Sequence, residues 1–152
     1  MSKNTLSVLS KLPETLIHLR CSNTQLSVLP CLPDTLIYLD CSHTPLRYLP
    51  KLPKSLKTLI CDNTRLSILP KLPKTLTYLN CMRTQISILP KLPETLKEFY
   101  CRHAPLKIKR NDGESIADYS KRWDDWRAEQ AFIKRCKEKC LIIRNELFDI
   151  AG

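Results

Sequence analysis

Lys71-Leu72-Pro73-Lys74-Thr75-Leu76-Thr77-Tyr78-Leu79-Asn80-Cys81-Met82-Arg83-Thr84-Gln85-Ile86-Ser87-Ile88-Leu89-Pro90 recurs when the chain is shifted by twenty residues in either direction. The copies occupy 11–30, 31–50, 51–70 and 71–90, with a decaying fifth at 91–110. A half copy at 4–10, beginning Asn4-Thr5-Leu6-Ser7-Val8-Leu9, stands in front. A fixed period in the twenties marks a solenoid, and it governs how every local motif is read.

Within one copy the apolar residues fall at Leu72, Leu76, Leu79, Cys81, Ile86 and Leu89. Leu79 and Cys81, two apart, face the same way on a short strand. The remainder, Ile86 through Pro93, cannot be helical. Each proline lacks an amide donor and forces the residue before it into extended geometry, so Leu89 and Leu92 take polyproline-like backbone. One coil of strand and return cannot bury its leucines alone. Stacked coils form a continuous core and a parallel sheet, with strands about 4.8 Å apart.

The LPxLPxxLxxLx-x-x-x-x-x-LxxLP frame over about 4–110 resembles the leucine-rich repeat family in its shortest, twenty-residue version. That version is familiar from bacterial secreted effectors, and similar runs occur in proteins of large DNA viruses. The resemblance implies an α/β solenoid with short parallel strands and extended returns; the residues after the solenoid are read as a C-terminal helical cap. Two departures stand out. The family's usual Asn after the strand is Thr24, Thr44, Thr64 and Thr84, then Ala104, and only Asn4 keeps it. A threonine hydroxyl can bond backbone in the coil below, with fewer bonds than an amide. The slot usually held by a small polar residue is apolar at Val28, Tyr48, Ile68, Ile88 and Ile108.

A chain of 152 residues is read as one domain, with a solenoid at 1–110 and a helical cap or assembly segment at 111–152. No apolar run reaches a membrane span, and no charged-then-apolar leader precedes the repeats, so neither a transmembrane segment nor a signal peptide is expected. The net charge of +10 belongs to the solenoid: 1–110 carry seventeen Lys/Arg against six Asp/Glu, while 111–152 carry eight against nine. Much of it forms a row at Lys11, Lys51, Lys71 and Lys91, with Lys54 and Lys74 beside it. A solvated face that keeps the returns soluble accounts for this row. An anionic partner is the sharper alternative, although no recognised nucleic-acid motif accompanies the lysines and nucleic acid is disfavoured.

Five of the eight cysteines, Cys21, Cys41, Cys61, Cys81 and Cys101, share one phase of the repeat, inward on the strand. They read as small buried hydrophobes. Neighbouring rungs lie too far apart for disulfides, and a straight column converges on no metal, so no metal or cofactor is expected. Cys31 replaces a lysine of the row and is expected at the surface. Cys136 and Cys140 are neighbours on a helix face, read as packing. This usage suits a reducing compartment, so an intracellular, cytoplasmic chain is expected; the resemblance to viral repeats leaves a place within a viral particle as the alternative.

Solenoids bind partners through the non-core residues of the concave sheet. Taken in phase, these are His18 and Arg20, Tyr38 and Asp40, Thr58 and Ile60, Tyr78 and Asn80, and Glu98 and Tyr100. Asp62, Met82, Arg83, Arg102 and His103 follow the strands. Core positions repeat while these vary. Tyr38, Ile60, Tyr78, Met82 and Tyr100 are expected to form one apolar, aromatic band, bordered by Asp40, Asn80, Arg83 and Arg102. Tyrosine and arginine dominate interface energetics.

After Arg110, Asn111-Asp112-Gly113 reads as a turn and Ser115-Ile116-Ala117-Asp118 as a capping box. No Gly or Pro follows from Glu114 to Ala151. Apolar residues track Ile116, Tyr119, Trp123 and Trp126, then resume out of phase at Phe132, Cys136, Cys140, Ile143, Leu147 and Ile150. A face that turns or a helix that bends at 127–131 is expected. The first part covers Leu92, Leu96, Phe99 and Leu106. A straight helix over 116–148 would be about 50 Å long, more than one coil's end face, so the remainder folds back or reaches another chain.

Catalysis is not expected. His18, His43 and His103 lie in different coils, no nucleophile shares a motif with a base, and there is no phosphate loop. The ubiquitin-ligase domain carried by some effectors it resembles does not fit in 42 residues. The leading expectation is a non-catalytic protein-interaction module. The alternative is a structural subunit of a larger assembly, such as a viral particle, or a homo-oligomer.

Overall fold

The second proline of each copy starts the turn that launches a strand. Leu16 N–H donates to Pro13 O at 3.1 Å, and Leu36, Leu56, Leu76 and Leu96 repeat the bond at 3.0–3.2 Å. In the computed structural model, which describes residues 7–150 and side chains through 138, five strands follow these turns. They are β1 (His18–Arg20), β2 (Tyr38–Asp40), β3 (Thr58–Ile60), β4 (Tyr78–Asn80) and β5 (Glu98–Tyr100). The sheet is parallel and in chain order, with Leu19, Leu39, Leu59, Leu79 and Phe99 in one register line. Of the half copy, residues 4–6 lie outside the described residues; Leu9 packs partly against the core.

Pairing continues past each three-residue strand. Cys21 N–H donates to Asp40 O at 2.8 Å and Asn23 N–H to Ser42 O at 3.0 Å, and the same two bonds recur coil by coil. Asn23, His43, Asn63, Arg83 and His103 carry the chain round the bend with φ of 50–60°, the left-handed region. The leucines of each coil, with the inward cysteines, form one core; Leu39, Leu59, Leu79, Cys41, Cys61 and Cys81 are fully enclosed.

Two hydroxyl series hold the backbone, and one corrects the sequence reading. Thr24, Thr44, Thr64 and Thr84 are buried, yet each donates to the cysteine carbonyl three residues back in its own coil, at 2.7–2.9 Å. The short hydroxyl reaches local backbone where a longer amide would span to the next coil. Coils are tied instead by the residue before the turn leucine. Thr75 Oγ1 donates to Lys54 O at 2.6 Å and Leu56 O at 2.9 Å; Thr35 and Thr95 do likewise, and Ser55 donates to Leu36 O alone at 2.7 Å.

α1 (Ile116–Ile150) is one unbroken helix of 35 residues. At 1.5 Å per residue it is about 50 Å long. Ser115 caps it: its Oγ accepts Asp118 N–H at 3.0 Å and donates to Asp118 Oδ2 at 2.6 Å. Tyr119 and Trp123 are fully buried against the last coil, with Phe99 and Tyr119 stacked at 5.9 Å. They cover Leu92, Leu96, Phe99 and Leu106, all buried. Of the two expectations for the rest of the helix, the fold-back within the chain does not occur. Without Gly or Pro, the helical hydrogen bonds run on through 127–131, and only the covered face ends there. From Ala128 through Glu138 every side chain is exposed. The side chains of Cys140, Ile143, Leu147 and Ile150 lie outside the described residues.

Candidate partner-binding surface

The central residue of every strand, leucine in the first four and Phe99 in β5, points inward, so its two neighbours point out together. In-register stacking turns these neighbours into two columns. One is His18, Tyr38, Thr58, Tyr78 and Glu98; the other is Arg20, Asp40, Ile60, Asn80 and Tyr100. All ten are exposed or half-buried.

The single aromatic band expected from the sequence is two clusters. Tyr78 and Tyr100 meet across β4 and β5 with ring centroids 5.7 Å apart, and Tyr100 Oη bonds Glu98 Oε2 at 3.2 Å. Tyr38 instead joins β1: its ring lies 5.9 Å from His18, and the Arg20 guanidinium sits 5.2 Å over it. Thr58 occupies the rung between Tyr38 and Tyr78, because a column places side chains of the same phase one strand apart. Ile60 bridges the gap in the second column, half-buried between Asp40 and Asn80.

A polar network borders the clusters. Asp62 accepts Asn80 Nδ2 at 3.3 Å and lies 3.6 Å from His43 Nε2, while His43 Nδ1 pairs with Asn63 Nδ2 at 2.7 Å. Asp40 accepts both the amide and the hydroxyl of Ser42, at 3.1 and 2.6 Å. Asn80 Oδ1 accepts the backbone N–H of Met82 at 3.2 Å, and Met82 is half-buried. Arg83 and Arg102 are exposed past the strand ends. Partial burial, with Tyr100 and Glu98 beside it, raises the pKa of the Tyr78 hydroxyl above its ordinary value.

Beyond the last strand the concave face runs into a groove of about 830 Å³. Tyr100, Arg102, His103, Lys109 and the turn 111–114 line it. The sequence reading missed this feature. Arg110 builds its wall, donating to Glu114 O at 2.6 and 3.1 Å and to Phe99 O at 3.3 Å. The signal was the abrupt end of the repeat, where the chain leaves the coil path. Among the described residues, no cluster of three or more His, Cys, Asp or Glu could hold a metal, and no helix is long and apolar enough to cross a membrane.

No family model matches the chain, and neither does any curated protein. Solved structures do. YopM from Yersinia enterocolitica WA-314 is 40% identical with a TM-score of 0.65, over 66% of this chain and 22% of that one. YopM, a leucine-rich effector protein from Yersinia pestis, is 36% identical with a TM-score of 0.67, over 70% of this chain and 30% of that one. The chain thus spans less than a third of the length of either. Five in-phase coils, one parallel sheet and these likenesses identify the chain as a leucine-rich repeat solenoid of the short, twenty-residue type.

Proposed function

We propose that this chain is a non-catalytic protein-interaction module that binds its partner through the concave sheet, centred on Tyr78. The observation that carries the reading is the Tyr78–Tyr100 pair, 5.7 Å apart on rigid neighbouring strands, half-exposed and taking no part in the core. Aromatic side chains held this way offer contact area at little entropic cost. Ile60 and Met82 extend the patch, and Arg83, Arg102, Asp40 and Asn80 supply its polar border. Tyr38, held by Arg20 and His18, is a second anchor two strands away.

Immobilised full-length chain, with Tyr78→Ala as the matched control, selects the partner, and calorimetry then gives the affinities. Tyr78→Ala is expected to weaken binding by about 2 kcal/mol or more, roughly thirtyfold, with unchanged melting. Lys51→Ala with Lys71→Ala should change affinity far less at physiological salt. Loss of binding in the lysine pair with full binding in Tyr78→Ala overturns the concave reading. A second reading, a subunit of a larger assembly, draws on the projecting helix, where Phe132 is 60% and Ile133 36% exposed. Light scattering separates the two: a monomer supports the module, and ordered self-association supports the subunit.

A further inference from the structure

We propose that one flank of the solenoid docks on the surface of an anionic lipid membrane. Val8, Val28, Tyr48, Ile68 and Ile88 are exposed by 75, 68, 66, 60 and 43%, one per coil at the same phase. Packing does not require this. The next residue of each coil turns inward, buried at Leu29, Leu69 and Leu89 and partly buried at Leu9 and Leu49, so the ridge is surplus to the core. Nothing in the described chain covers it. α1 packs over the sixth position, Ile108, which lies partly against the core while its carbonyl accepts Tyr119 Oη at 2.7 Å.

Charge selects the occupant. Lys51, Lys71 and Lys91 are exposed three residues beyond the ridge and make no ion pair among the described residues. Arg47 and Arg65 stand on its other side, around a polar-walled hollow of about 420 Å³. A second copy's projecting helix would meet like charge, since Lys134, Arg135 and Lys137 outnumber Glu129 and Glu138 there. Shape disfavours a peptide: the apolar residues project as a row and form no apolar groove. A deformable headgroup layer accepts such a row, with aliphatic tips and Tyr48 at the acyl boundary and lysines extended to the phosphates. Each basic residue near an anionic leaflet is worth about fivefold in binding.

The test uses full-length chain with vesicles of phosphatidylcholine alone or with about one-third phosphatidylserine. Co-sedimentation is expected with the anionic vesicles only, falling as salt rises. Ile68→Ser with Ile88→Ser should weaken it at least tenfold, whereas Tyr78→Ala should bind as wild type, which separates this surface from the concave one. Ile68→Trp should bind more tightly and show blue-shifted emission on the vesicles. Failure to sediment with anionic vesicles overturns the proposal. So does sedimentation indifferent to the serine pair, which would reflect bulk charge alone, or Ile68→Trp emission that does not move. Should vesicles fail while the same ridge retains an acidic protein, the surface belongs to that class of partner instead.

Discussion

Burial decides the chemistry of the cysteine column. Desolvation, then the carboxylate of Asp40, pushes the Cys21 thiol from 9.0 up to about 11. Cys41, Cys61 and Cys81 are raised further, first by deeper burial and then by the neighbouring thiols of the column. Thiolates are the reactive form, so native labelling should reach exposed Cys31 and Cys136 quickly and Cys61 only after unfolding. Fast native labelling of Cys61 would refute its inward position. The same shift has a pH consequence. A group whose folded pKa is raised stabilises the fold fully below its unfolded pKa, and that contribution is lost as pH rises towards the folded value. For Cys21 the window is about pH 9–11. Melting temperature should drop with alkali, and less steeply in Cys61→Ala. Cys61→Phe should cost about 1–3 kcal/mol or more by overpacking. The inward phase of the cysteines was legible from the repeat. The left-handed bend was not: Asn23 and Asn63 hint at it, but Arg83 and the two histidines take that conformation only because stacked coils impose it. Arg83→Asn should therefore stabilise by about 0.5–1 kcal/mol in thermal melts.

Among the elements, the strand and the return were legible because proline excludes helix on one side while leucine spacing sets the other. Only part of the helix was. Its start could be read from Ser115 and Asp118, but apolar periodicity reports which face is covered, not where the backbone stops. The covered part is held by Tyr119, Trp123 and Trp126, and by Arg127 Nη1 donating to Leu89 O at 2.9 Å. Trp123→Ala should destabilise by about 3–5 kcal/mol, read by urea unfolding. Deleting 111–152 exposes the last coil and should yield insoluble or earlier-melting protein; unchanged solubility and melting would show that the helix is no cap. The joint before it is acid-sensitive. Hydrogen bonds from Arg122 and from Asn111 N–H lower the Glu114 carboxyl below 4.5. That stabilisation is present above pH 4.5 and lost as pH falls through the lowered value, so Glu114→Gln should flatten the acid limb of the melting curve.

The whole molecule has few connections between distant coils. Its inter-coil backbone bonds join residues about twenty apart, so each coil depends on its neighbours alone. The concave columns were readable for that reason: residues in phase become neighbours. The two-cluster arrangement was not, because it depends on Thr58 falling between Tyr38 and Tyr78, on Arg20 claiming Tyr38 and on Tyr100 claiming Tyr78. Excising 51–70 should leave a folded, capped protein with lower melting temperature, since each junction is rebuilt with like groups. Leu46 O, which accepts Arg65 N–H at 3.0 Å, would accept Gln85 N–H as Leu66 O does at 2.9 Å. It would also bring Tyr38 and Tyr78 onto adjacent rungs, fusing the aromatic clusters. Heredity can exploit that junction chemistry: an in-frame duplication or loss of one block lengthens or shortens the protein without inventing a contact, and each such event rewrites the order of side chains offered to a partner while leaving the interior untouched.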